Sequence, residues 1–169
     1  MLLLSGLLGA IIGAFVTLGF NLWKVHRDER GARCDELCAA IRDVAQIAST
    51  YWAQAYNSDD NEQKIAEAKL LSAQILVEGL SADFTPYLPE ASQRKIEQAL
   101  SELVDTLTGG AFSEPKRPVD LERLTRAPQH ASLTIVAVRH EYRASLPFHR
   151  LVAAFHLNRR RSLDMPTRC

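Results

Sequence analysis

The first 23 residues, MLLLSGLLGAIIGAFVTLGFNLW (Met1 to Trp23), contain no charged side chain. At 1.5 Å rise per residue, a helix of that length spans about 34 Å, against about 30 Å of hydrocarbon in a bilayer. The run lacks the positive leading region and small-residue cleavage site of a secretory signal, so it reads as a transmembrane helix. Lys24, Arg27, Arg30 and Arg33 follow it, interspersed with Asp28 and Glu29. Basic residues on this flank alone place the C-terminal side in the cytoplasm, and Trp23 suits an anchor at the interface.

The same run is rich in small residues. Gly9 and Gly13 form a GxxxG pair, while Gly6, Ala10 and Ala14 repeat every fourth position on a neighbouring stripe. Such stripes let helix backbones approach closely in lipid, where no hydrophobic drive brings helices together. They predict a homo-oligomer, with Thr17 and Asn21 as polar groups available across the contact. The competing explanation is that glycine is common in membrane helices generally.

The 146 residues after Trp23 suffice for one domain with a modest core. The chain is formally neutral, yet residues 34–114 hold five basic against fourteen acidic residues, and residues 115–169 hold eleven against four. A basic tail facing an acidic middle can meet its own chain, a second copy, anionic headgroups or nucleic acid. Arg159, Arg160 and Arg161 are the expected electrostatic contact in that tail. Cys34, Cys38 and Cys169 make no disulfide framework. Cys34 and Cys38 stand one helical turn apart, but two thiolates do not make a zinc site, and packing is the expected role.

Downstream, periodicity is helical throughout. Leu37, Ile41, Val44, Ala48, Tyr51 and Ala55 recur at alternating spacings of four and three, predicting a helix continuous with the anchor to about Tyr56. Asn57 to Asn61 supply a turn and an N-cap. Asp59, Asp60 and Glu62 lack the ligand register of a calcium loop and read as that cap. Ile65, Ala68, Leu71, Ser72, Ile75 and Leu76 mark a second helix running toward Gly79, folded back on the first. Ile96, Leu100, Leu103, Val104 and Leu107 mark a third, stopped by Gly109 and Gly110. A short helix from Val119 to Arg126 is expected to end before Pro128, and a fourth principal helix to run from Ala131 to Ser145 through Leu133, Val136, Ala137 and His140. Pro147 should kink or divide the chain beyond it.

The predicted class is all-α: a transmembrane helix (1–23), a basic juxtamembrane segment (24–33), a cytoplasmic four-helix bundle (34–157) and a basic tail (158–169). No phosphate-binding loop, dinucleotide loop, zinc-protease motif or serine-nucleophile motif occurs, and no cofactor or metal is expected. Four of the five histidines, His130, His140, His149 and His156, fall near the C-terminus. Arg143 precedes His149 as Arg150 precedes His156, with five residues between. An imidazole and a guanidinium held together can move a proton at a ribose hydroxyl and stabilise phosphate charge, so Arg150 and His156 are the candidate catalytic pair for RNA cleavage. Membrane-facing or structural roles compete with that chemistry, since arginine is abundant and Pro147 breaks the earlier pair.

The leading run Met1 to Trp23, the basic exit Lys24-Val25-His26-Arg27, the chain length and the Arg/His spacings ending at His149 and His156 resemble a family of small helical membrane proteins of bacterial antiphage defence. These accompany the RNA-targeting type VI-B CRISPR nuclease. The resemblance implies a HEPN-like cytoplasmic bundle, an inner-membrane location and an oligomeric pore that disturbs the envelope. Its partners would be the bilayer, further copies of the chain and a cytoplasmic defence protein. Two alternatives stand beside the pore: a single-pass anchored adaptor that recruits a cytoplasmic partner, and a membrane-tethered ribonuclease acting on RNA.

Overall fold

A computed structural model describes residues 2–57 and 59–146, with side chains described from Ile12 onward. Four α-helices carry the fold: α1 (Leu2–Trp52), α2 (Asn61–Phe84), α3 (Glu90–Thr108) and α4 (Leu121–Ser145), with one 3-10 turn at Thr85–Tyr87. No strand occurs among the described residues. The chain is an all-α bundle, in which α1 packs on both α2 and α4, and α3 packs on α4. Among the described residues, no helix is long and apolar enough to cross a membrane. The described side chains of the leading apolar run are those of Ile12 to Trp23.

The first helix follows its predicted seam. Leu37, Ile41, Val44, Ala48 and Tyr51 are all buried, together with Cys34, Cys38 and Trp52. Ala55 is exposed because α1 stops at Trp52, short of the predicted Tyr56. The stop is imposed from elsewhere in the chain. The Arg117 guanidinium donates to the carbonyls of Tyr51 and Gln54 at 3.3 Å, and Asp120 N–H donates to the carbonyl of Trp52 at 3.2 Å. A cation on the last carbonyls meets the negative end of the helix dipole.

Two seams differ from the sequence reading. α2 runs to Phe84 instead of Gly79, and it buries Gln63, Leu70, Val77, Ser81 and Phe84. The predicted stripe of Ile65, Ala68, Ser72, Ile75 and Leu76 lies on the opposite side and is exposed. α4 buries Ala127, Ala131, Thr134, Val138 and Glu141, leaving the predicted Leu133, Val136 and His140 outward. In α4 small or polar residues fill most of the inner face, whereas α2 turns Leu70, Val77 and Phe84 inward. Small residues allow α4 to lie close to α1, and Thr134 Oγ1 donates to the carbonyls of His130 and Ala99 at 2.9 and 3.2 Å.

α4 also passes through Pro128 without the predicted break. The proline forfeits the bond its N–H would give to the Leu124 carbonyl, which with ring strain costs about 3 kcal/mol. Burial of Ala127 and Ala131 on either side of it offsets that cost. The N-terminus is secured by Asp120, whose Oδ1 accepts from Arg123 N–H at 2.9 Å. α3 keeps its predicted face, with Ile96, Leu103 and Leu107 buried. It ends at Gly109, followed by Gly110 at φ +61°, where a Cβ would come within 2.5 Å of the Arg123 Nη2. The Asp60 carboxylate caps α2 by accepting from Glu62 N–H at 2.8 Å.

Candidate functional site

From Ile12 to Arg30 every residue of α1 is exposed, although the Arg27 carbonyl accepts from the Tyr142 hydroxyl at 3.2 Å and Arg30 lies over the Tyr87 ring. The large side chains of this stretch are Ile12, Phe15, Val16, Leu18, Phe20, Leu22, Trp23 and Val25. At 100° per residue these positions cover about 220° of the helix, and Gly13, Ala14, Thr17, Asn21 and Lys24 take the remaining strip. An apolar surface that broad is normally covered by lipid or protein. Thr17 spends its hydroxyl proton within the helix, donating to the Gly13 carbonyl at 2.8 Å, and keeps its oxygen as an acceptor.

Of the small residues expected to mediate assembly, Gly13 and Ala14 have described surroundings. A Cβ on Gly13 would meet nothing within 4 Å, and Ala14 is exposed, so both are available to a second helix. The side chains of Gly6, Gly9 and Ala10 lie outside the described residues.

α2 and α4 each also expose large apolar side chains on their outer faces. Ile65, Ile75 and Leu76 are 55%, 67% and 56% exposed, and Leu133 and Val136 are 59% and 65% exposed. Isolated exposed leucines need no explanation, but a helix that is apolar on both faces has one face too many for a lone bundle. Sequence periodicity located these outer stripes while mistaking them for the core.

The polar chemistry of the described residues is structural. Cys34 and Cys38 are buried, as packing required. The Cys34 S–H bonded to Cys38, with the Arg139 guanidinium nearby, holds the Cys38 thiol below its ordinary range, while Cys34 is pushed up. No group of three metal-ligating side chains occurs among the described residues. The phenol of Tyr56 donates to Glu67 at 2.7 Å, which pushes its pKa up to about 12.

Glu141 is the one buried carboxylate among the described residues. It accepts from Lys95 Nζ at 2.8 Å and Ser92 Oγ at 2.7 Å, with His140 Nδ1 at 3.2 Å. The Lys95 bond first, then Ser92, lowers its pKa from 4.5 to about 2. A depressed carboxylate stabilises the fold above its unfolded pKa, and the contribution disappears as pH falls from about 4.5 toward 2. Glu141→Gln is expected to cost about 1–2 kcal/mol at pH 7, discounted because Lys95 is largely in water. The variant should also lose less stability than the parent between pH 5 and pH 3. Thermal melts at several pH values check this, and parallel acid limbs would contradict it.

The Arg/His elements are not assembled within the described residues. Arg143 is exposed on the last turn of α4, and His130 and His140 lie on different turns upstream. His149, the candidate catalytic pair Arg150 and His156, and the basic cluster Arg159, Arg160 and Arg161 lie outside the described residues. Arg117, which falls between the predicted third helix and the short helix from Val119, is the buried cation that organises the bundle end. No composition or spacing signal marks it. No protein-family model matches the chain, and no curated protein and no solved structure matches it.

Proposed function

We propose that the chain is a single-pass, membrane-anchored helical module that self-associates in the bilayer and acts there as an effector. The observation that carries this reading is the exposed half of α1, uncharged from Ile12 to Trp23, with large apolar side chains over most of its circumference, and continuous with the packed seam from Cys34 to Trp52. The uncharged run from Met1 to Trp23 supplies the length that the hydrocarbon requires. The basic exit from Lys24 to Arg33 orients the bundle toward the cytoplasm, at the inner membrane of a bacterium. The HEPN-like assignment of the bundle and the pore-forming, antiphage role belong to the same proposal, and rest on the family resemblance.

Assembly is assigned to the Gly9/Gly13 stripe, helped by the outer faces of α2 and α4. Gly13 has open space around it in the single chain, so a side chain placed there disturbs only a contact between copies. The double variant Gly9→Ile/Gly13→Ile is expected to shift the protein in mild detergent from a defined multimer toward monomer. Mass photometry reads this out, and an unchanged distribution would remove the stripe from the interface. Dye release from liposomes then decides the mode of action. Leakage that is lost together with the multimer marks a pore.

The anchored adaptor is the second reading, favoured by the apolar outer stripes of α2 and α4, which a cytoplasmic partner could equally cover. It expects membrane insertion without leakage.

A further inference from the structure

Where α1 leaves the bundle there is a cavity of about 510 Å³. One wall is the stretch of α1 from Trp23 to Arg33. The other is Tyr87 of the 3-10 turn and the Ser145–Leu146 end of α4. Four basic side chains line it, His26, Arg27, Arg30 and Arg33, against the single carboxylate of Glu29. Their commitments differ. Arg33 is held by Glu29 at 2.9 Å and by Asp83, and Arg27 is held by Asp28 at 3.0 Å. His26 lies 3.9 Å from Glu29. Arg30 has no carboxylate partner among the described residues. Its guanidinium lies over the Tyr87 ring, 5.3 Å from the centroid.

A cation held against an aromatic face keeps its hydrogen-bonding edge free for an incoming anion. The remaining walls are amphipathic: the rings of Trp23 and Tyr87 and the Leu146 side chain sit beside the charges. The ligand that fits both halves carries one phosphate oxyanion and an apolar portion attached to it. Inorganic phosphate would leave the apolar walls wet, and a zwitterionic headgroup would bring its ammonium toward the arginines.

Position along α1 agrees with that chemistry. With Trp23 at the edge of the hydrocarbon, Arg27 lies about 6 Å and Arg30 about 10 Å farther along the axis. The headgroup layer on one side of a bilayer is about 5–7 Å deep. Cα–Cβ bonds in a helix tilt toward its N-terminus, so these side chains lean back toward Trp23 and into that layer.

We propose that this cavity binds the headgroup of an anionic phospholipid, with Arg30 as the principal phosphate contact, Arg27 adding charge and His26 a ring nitrogen for hydrogen bonding. The proposal rests on the anchored reading of α1. It is tested with the full-length chain in mild detergent, by native mass spectrometry against phosphatidylglycerol, phosphatidylcholine and inorganic phosphate. Phosphatidylglycerol is expected to be retained in preference to phosphatidylcholine. Arg30→Gln should lower that retention about fivefold, the worth of one arginine at an anionic surface. Arg42→Gln, on the exposed flank of α1 within the bundle, should leave it unchanged.

Equal retention of the two lipids, or equal retention by the parent and Arg30→Gln, would overturn the site. Displacement of the lipid by millimolar inorganic phosphate would make it a free-anion site and overturn the lipid assignment. Alkaline carbonate extraction of the parent protein separates the two levels. A chain that stays in the membrane without lipid preference loses only the site, whereas a chain that washes off loses the anchor.

Discussion

Trp52→Ala is expected to remove about 3–5 kcal/mol of stability, the usual range for deleting a large buried aromatic side chain. Trp52 is fully buried at the end of α1, and its indole N–H donates to the Leu107 carbonyl at 2.9 Å. Two guanidiniums lie over its ring, Arg117 at 4.2 Å and Arg123 at 4.7 Å, and Tyr51 meets it edge-on at 5.2 Å. Removing the indole opens a cavity, orphans one end of α3 and strips a π partner from Arg117. That arginine is buried, with its Nε already lacking a hydrogen-bond partner. Domains of this size are stable by about 5–15 kcal/mol, so the loss approaches the whole margin. Urea titration of the full chain in mild detergent, followed by far-UV circular dichroism, should show the bundle transition moved to much lower urea or absent. Trp52→Phe keeps a ring for the guanidiniums and loses mainly the hydrogen bond, so it should cost about 1 kcal/mol. An unchanged midpoint for the alanine variant would refute the assignment of this cluster as the lock at the bundle end.

The second large effect concerns the anchor. Ile12→Asp with Phe15→Asp places two carboxylates near the middle of the uncharged run, each at about 2.5–3.5 kcal/mol on insertion scales. Together they oppose insertion by about 5–7 kcal/mol, enough to reverse a marginal partition. Both side chains are exposed and stand more than five helical turns before Cys34, the first buried residue of the bundle. The bundle should therefore fold as before while the chain moves from the carbonate-resistant membrane fraction to the supernatant. Retention of the double variant in the membrane would place the anchoring elsewhere.

Much of this fold is legible in the sequence, and the misses have two causes. The α1 seam is readable because Leu37, Ile41, Val44 and Tyr51 lie on one side of a helix that carries charge on the other. α3 is readable for the same reason. α2 and α4 carry apolar residues on two opposite faces, and periodicity favours the larger ones, Ile65, Ile75, Leu76, Leu133 and Val136. The core instead takes the heptad Gln63, Leu70, Val77 and Phe84 of α2, and in α4 the small residues Ala127 and Ala131, which let that helix pack closely on α1. Pro128 misleads similarly: local sterics favour a stop there, and tertiary burial overrules them. Arg117 is invisible for a different reason. Its role depends on carbonyls more than sixty residues earlier, and no local pattern encodes a partner that distant. The candidate site is legible in outline, as a basic exit beneath an apolar run. The part played by Tyr87, which lies in another element, appears only once the chain is folded.

The first helix is unbroken from Leu2 to Trp52, and its continuity has a mechanical consequence. Between Trp23 and Cys34 there is no proline, and the single glycine, Gly31, lies against α4, where an added Cβ would meet the Tyr142 hydroxyl at 3.3 Å. In the anchored arrangement proposed above, the helix is a rigid lever with no joint between bilayer and bundle. Trp52 stands 29 residues beyond Trp23, a lever arm of about 43 Å. A tilt of about 20°, ordinary for membrane helices, swings that end sideways by about 15 Å. In that proposed arrangement, changes in bilayer thickness, which set tilt, would become displacements of the bundle large enough to bring the outer faces of neighbouring copies together or draw them apart.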